Sequence, residues 1–234
     1  FNNYRYTAFI PNNEAVQEAI ANGLPTWEEI EADYNEMEPV VNTLDSLKDV
    51  MDNTDYVFVE EDSIMCDQLW EKAHADSIKL QAKITYLTNF IRYHFADNSI
   101  FADKSARAES EMVTSSYDKE LGLFCKLYVD RPGNDVLRVR DAYSNTMMET
   151  VGEKNVLARD IECSLKPVGR PMATSGKKIT LDASSACVIH LIPGILNHTE
   201  LKNGRHDSEW ASVAAAKKYI KRYAISKEKF DSHE

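Results

Sequence analysis

The sequence predicts an α+β fold, helices first and strands later, rather than a βαβ repeat. Three observations carry this. Between residues 63 and 95, Leu80, Ile84, Leu87 and Ile91 recur at spacings of four, three and four, the apolar stripe of a core-facing helix. After about residue 100 the pattern changes to short runs rich in β-branched and aromatic residues. The strongest of these, Cys187–Ile192, stands near the far end and is stopped by Pro193-Gly194. There is no internal repeat.

The elements follow in order. Residues 4–10 alternate as a strand, and Pro11 stops it. Asn12 or Asn13 is then the N-cap of a helix running to about Ala21, with Gly23 at its C-cap. Thr26 and Glu29 form a capping box that opens an acidic helix reaching Tyr34–Glu38, where Pro39 interrupts it. A further helix spans 42–51, with Leu44, Leu47 and Met51 on one face. Tyr56–Val59 is a short strand or an extended link. The long helix, with Leu69 and Trp70 extending its apolar face backward, closes at Tyr93-His94-Phe95. Strands are expected at Met112–Ser115, Leu123–Val129 and Val136–Arg140, with a turn over 130–135 between the last two. Further strands are expected at Val156–Ile161, Ile179–Leu181 and Cys187–Ile192. The tail carries an amphipathic helix, capped by Ser208, with Trp210, Val213 and Ala214 on its apolar face. Lys217, Lys218, Lys221 and Arg222 lie in its last turns, where they complement the helix dipole.

A chain of 234 residues is one large domain or two small ones. It buries roughly 70% of the surface its unfolded form exposes, so it needs no disulfide or metal to make a core. With 43% hydrophobic and 28% charged residues it belongs with globular proteins rather than disordered or fibrous ones. No stretch approaches the ~18 apolar residues of a spanning helix. The formal charge of −11 argues against a nucleic-acid partner, because phosphate binding needs clustered Lys and Arg. That charge is local. Residues 1–62 hold 15 acids against two bases, a net of −13, whereas the remainder nets +2. The acidic segment is either a solvated helical face or a docking surface, and Glu28 and Glu29 are its first candidate binding residues.

Catalytic signatures are absent: there is no GxSxG, HExxH, Walker A or GxGxxG. Cys66, Cys125, Cys163 and Cys187 lie far apart with no CxxC, which fits neither a zinc ribbon nor a disulfide scaffold. Cys187 is a buried small hydrophobe. Cys125 has no local support as a nucleophile. His198 and His206, near Glu200 and Asp207, have no standard metal spacing. Asn197-His198-Thr199 is a glycosylation sequon. No cofactor or metal is expected, and the chain is expected to be non-enzymatic.

Three segments resemble the fasciclin (FAS1) family in order. Thr7-Ala8-Phe9-Ile10-Pro11-Asn12-Asn13-Glu14-Ala15 is similar to its first signature, in which Thr7, Phe9, Pro11, Asn13 and Ala15 stand at the motif positions. Tyr93-His94 follows a helical stripe as that family's central pair does. Val188-Ile189-His190-Leu191-Ile192, with Ile195-Leu196, resembles its last signature. The resemblance covers about residues 4–197 and implies a sheet wedge or sandwich packed on helices, with the first and last signatures as adjacent strands. It implies a domain over 1–200 with insertions near 24–52, 60–78 and 164–178, a C-terminal extension over 201–234, and a further helix or two upstream of Thr7. His94 and His190 are then structural. Family members of animals bind integrins near the Tyr-His pair and through an Asp-Ile dipeptide, which places candidate binding at Tyr93, His94, Asp160 and Ile161. Asp160-Ile161 lies 28 residues before the last signature, farther than the family pattern has it, and Pro193 replaces the Asp that commonly follows. The insertions are similar to those of fasciclin-type surface lipoproteins of gut Bacteroidota. That implies export, an extracellular or outer-membrane surface, an upstream lipid anchor, and a role in adhesion or protein–protein interaction. The alternative partner is a glycan, or a companion lipoprotein in polysaccharide uptake.

Overall fold

The protein, seen in a computed structural model, is described over residues 5–118, 121–157 and 187–206 and at Ala216. Its elements in order are β1 (Tyr6–Pro11), α1 (Asn13–Ala21), α2 (Trp27–Met51), α3 (Glu60–Tyr93), β2 (Phe95–Asp97) and β3 (Arg107–Asp118). Then come β4 (Leu123–Gly133), β5 (Val136–Arg140), β6 (Met148–Glu149), β7 (Val151–Leu157) and β8 (Cys187–Ile192). The chain divides into two compact units. One contains residues 1–19 and 89–201, the other 20–88 and 202–234. The expected insertions at 24–52 and 60–78 both fall in the second.

The first unit is built on one eight-stranded sheet in the order β6-β5-β4-β3-β2-β1-β8-β7. β1 and β8, the first and last signature segments, run parallel as neighbours, with Thr7 opposite Val188, Phe9 opposite His190 and Pro11 opposite Ile192. The other described pairings are antiparallel. The strands at the two ends of this order, β6 and β7, are separated in sequence only by Thr150. One continuous stretch thus pairs with β5 at its start and with β8 further on, and the Thr150 N–H donates to Leu137 O at 2.9 Å. The sheet's edges therefore return to one another, so the mixed sheet is a nearly closed ring. Near-closure leaves little exposed edge for another chain to pair with. Inside lie Phe9, Leu127, Val129, Leu137, Val139 and Ile192, contributed by alternate positions of their strands, with Tyr93 and Leu196. On β1 Phe9 is buried, whereas the next residue, Ile10, is exposed.

The second unit is a helical hairpin. Thr26 and Glu29 make the expected capping box, with the Glu29 N–H donating to Thr26 Oγ1 at 3.2 Å and the Thr26 N–H to Glu29 Oε2 at 3.1 Å. Pro39 does not end the helix: α2 continues as one 25-residue element. The missing N–H leaves the Asn35 carbonyl without its helical donor. Both residues are exposed, so water can take its place. Beyond its two buried residues, Ile30 and Leu44, α2 is half-buried at Asp33, Met37, Val40, Val41, Leu47, Lys48 and Met51, a stripe of covered positions along one face of the helix. Asp33 meets Lys83 of α3 at 2.6 Å. Only eight residues join Met51 to Glu60, too few to link parallel helices that meet at Asp33 and Lys83, so α2 and α3 run antiparallel.

The buried face of α3 differs from the expected one. Ile78, Ala82, Tyr86 and Phe90 are buried, at spacings of four; of the expected stripe Leu80 is also buried, whereas Ile84 and Leu87 are half-covered and Ile91 is 50% exposed. From Ala73 to Phe90 no residue is exposed. A helix covered on several sides carries apolar residues on several faces, so one stripe does not identify the innermost. The helix also ends sooner than expected, and Phe95 belongs to β2. Tyr56–Val59 is an irregular link. β3 is longer than Met112–Ser115, and β4 runs on to Gly133, whose φ of 93° allows the turn into β5. Residues 158–161, the expected strand Ile179–Leu181, the insertion near 164–178 and the tail helix lie outside the described residues. No described helix is long and apolar enough to cross a membrane.

Candidate functional site

The residues singled out in sequence separate into two groups. Those of the signature segments belong to the sheet unit and are engaged inside it. Thr7 Oγ1 donates to Asn98 O and accepts from Ile100 N, each at 2.8 Å. His190 Nε2 donates to Ile100 O at 2.8 Å, and its ring stacks on Phe9 with centroids 5.8 Å apart. Asn155, in the left-handed conformation on β7, binds both the N–H and the carbonyl of Ala102, at 2.7 and 2.8 Å. Three side chains from three strands thus supply backbone partners to the irregular stretch 98–102, whose polar groups would otherwise be buried unpaired. Between the two candidate caps, Asn12 does the work: its Oδ1 accepts from Ala15 N at 2.9 Å and its N–H donates to Ile192 O at 2.9 Å. Asn13 is the first helical residue and is exposed, while Ala15 and Val188 are buried and Ile189 is half-buried.

Tyr93 and His94 anchor a second network at the end of α3. Both are buried. His94 Nδ1 donates to Phe90 O at 2.8 Å and its Nε2 accepts from Leu196 N at 3.1 Å, which sets the neutral Nδ1–H tautomer. Burial pushes its pKa down to about 4. Tyr93 OH donates to Lys126 O at 2.5 Å and accepts from Ala142 N at 3.2 Å. Burial pushes its phenol well above the ordinary value. Beside them is Asp141, also buried, a residue the sequence reading missed. Its Oδ1 accepts from Tyr143 N at 2.8 Å and Ser144 N at 2.6 Å, and its Oδ2 from Asn197 N at 3.0 Å. The signal was present: an Asp directly after a strand, followed by Ala-Tyr-Ser-Asn, is a side-chain-capped turn. The network ties the loop after β5 and the loop after β8 to the helix end. Buried and fully hydrogen-bonded, Tyr93 and His94 serve the fold, and neither presents its polar atoms to a partner.

Burial pushes the Cys125 and Cys187 thiols up, away from the thiolate that a nucleophile needs. Cys125 and Cys187 are free. Among the described residues no group of three or more His, Cys, Asp and Glu could hold a metal. His206 Nδ1 is bonded to Tyr86 OH at 2.8 Å inside the helical unit. Asp160 and Ile161 lie outside the described residues.

The second group is at the surface. Glu28 and Glu29 are exposed in the first turn of α2, where they favour the helix dipole. Glu29 is committed to the capping box, which leaves Glu28, with Glu31, as the carboxylates without a structural task there. Trp27, 64% exposed, and Tyr34, seven residues on, lie on one face of α2. A shallow polar hollow of about 270 Å3 lies between α2 and α3, lined by Asp33, Glu36, Asp76, Lys79 and Lys83. Its lysines offset part of its acid charge. No family model, curated protein or solved structure matches this chain.

Proposed function

We propose that the chain is a non-enzymatic, fasciclin-type interaction module, exported to a cell surface, whose acidic helical unit engages a protein partner. The fasciclin part of this reading is supported by the parallel pairing of β1 with β8, which joins the two signature segments in register. One observation carries the interaction part. The signature side chains are spent on the sheet unit's own backbone, while the helical unit turns acids and large apolar side chains outward. The experiment is binding of the labelled chain to intact cells, before and after protease treatment of their surface. Saturable binding that protease abolishes and rising salt weakens is the expected result. Absence of saturable binding would remove the interaction reading.

The exposed pair Trp27 and Tyr34 favours a second reading, since sugar rings stack on aromatic faces and neighbouring acids accept their hydroxyls. A glycan array separates the two. A signal that Trp27→Ala removes would assign this face to glycan, and a blank array leaves the protein reading in place.

A further inference from the structure

The hairpin connection between α2 and α3 has a surface that its own packing does not explain. Val57 and Phe58 are 79% and 69% exposed, and Val59, Ile64 and Met65 stand out beside them in the link and the first turns of α3. The backbone on either side of them is hydrogen-bonded. The Tyr56 N–H donates to Asn53 O at 2.9 Å and the Asp55 N–H to Asn53 Oδ1 at 3.1 Å. Tyr56 OH accepts from Val59 N at 3.2 Å and donates to Asp62 Oδ2 at 2.9 Å. The link is thus tied down at both ends by a polar framework that turns three consecutive apolar residues outward. Phe58 occupies the position from which an apolar residue ordinarily packs back onto its own helix, but its counterpart is Ser63. An ordered apolar tip left in water is unfavourable in proportion to its area, and such patches mark interaction sites.

The charge around the tip selects the occupant. Asp49, Asp52, Asp55, Glu60 and Glu61 are exposed, and no base occurs between Asp49 and Asp62. A second copy would bring the same acids against these, so like charges oppose self-association through the tip. An anionic bilayer is repelled for the same reason. What complements an apolar centre with an acidic rim is a protein segment with large apolar side chains flanked by Lys and Arg, such as one face of a basic amphipathic helix. Resting on the protein-partner reading, the geometry points to the Val57–Phe58–Val59 tip as the docking surface for a basic, amphipathic segment of that partner.

The test uses the full chain and three synthetic peptides, read by fluorescence anisotropy. One is a Leu/Lys amphipathic helix, one a Lys/Ser peptide of equal charge, and one a Leu/Glu amphipathic helix. Expected is saturable binding of the first alone. Phe58→Ser with Val57→Ser weakens it at least about tenfold, although the charge is unchanged. Glu60→Gln with Glu61→Gln weakens it and flattens its salt dependence. Each variant must keep the wild-type circular dichroism spectrum and binding affinity must be compared on that basis. Equal binding of the Lys/Ser peptide, or binding that ignores Phe58→Ser, overturns the proposal. So does tip-dependent binding to anionic vesicles, or a dimer that Phe58→Ser dissolves. If protease-sensitive binding to cells persists in the Phe58→Ser, Val57→Ser variant, this proposal fails while the interaction reading survives. Loss of all saturable cell binding by the wild type fails the reading itself.

Discussion

The sheet unit and the helical unit use polar residues in opposite ways. In the sheet unit they face inward and finish the backbone: Thr7, His94, Asp141, Asn155 and His190 each bind main-chain groups of irregular segments. Its surface acids also meet bases, as Arg140 meets Glu109 at 2.6 Å and Lys126 meets Glu111 at 2.6 Å. In the helical unit most of the polar residues of α2 face outward. α2 holds to its neighbour along one face and leaves most of its acids to solvent. A buried polar group that loses its partner keeps its desolvation cost, whereas a solvated one does not. The comparison therefore predicts that stability is concentrated in the first set of residues and binding in the second.

The largest expected effect is at Asp141. Asp141→Ala strands three backbone N–H groups inside the sheet unit and should cost roughly 3–5 kcal/mol. The sheet unit contains no tryptophan, whereas Trp27 and Trp70 lie in the helical unit. Amide exchange of the β1 and β8 protons should therefore accelerate far more than tryptophan fluorescence changes. Equal change in both signals would show that the two units melt together and break the comparison.

His94 should give the next effect, and it depends on pH. Its folded pKa, about 4, lies below the ordinary 6.5, so between these values the unfolded chain takes up a proton that the folded chain refuses. Stability is fully present above about pH 6.5 and is lost as pH falls towards 4, by on the order of 3 kcal/mol. Urea unfolding at pH 7 and pH 4.5, followed by exchange in the sheet unit, measures the slope. His94→Gln should flatten it, even if the variant is less stable throughout. An unchanged slope would move the titration elsewhere.

In the helical unit the effects shrink. Thr26→Ala removes one half of the capping box and should cost about 1 kcal/mol, read by tryptophan fluorescence during unfolding. Glu28→Gln with Glu31→Gln should change stability by less than about 0.5 kcal/mol while weakening partner binding. Equal losses of stability and binding would make this acidic face structural. Glu29 and Asp33 do not belong in that variant, because one closes the capping box and the other pairs with Lys83.

Local chemistry made much of this legible in sequence. The strands Leu123–Val129, Val136–Arg140 and Cys187–Ile192, the Thr26–Glu29 box and the Pro11–Asn12 switch each rest on propensities and hydrogen bonds within a few residues. Pro39 misled, because a proline's cost falls when water can satisfy the carbonyl it frees. The stripe on α3 was right at Leu80, which is buried, but Ile84 and Leu87 are covered only in part, and periodicity cannot rank one apolar face above another. Asp141 was missed because its third partner, Asn197, is 56 residues away.

By itself the sequence determined the passage from helices to strands after about residue 95, the concentration of acid in the first quarter of the chain and the local caps. Each of these depends on residues within about one helical turn or on a sum along the chain. The adjacency of β1 and β8 was implied by the resemblance of their segments, but only the tertiary structure decided that they pair in parallel, that β6 and β7 bring the sheet back on itself, and that His94 is buried. It also decided that Val57 and Phe58 stand in water. Burial and strand order come from pairings between residues far apart, and no local pattern records whether an apolar side chain will find a neighbour.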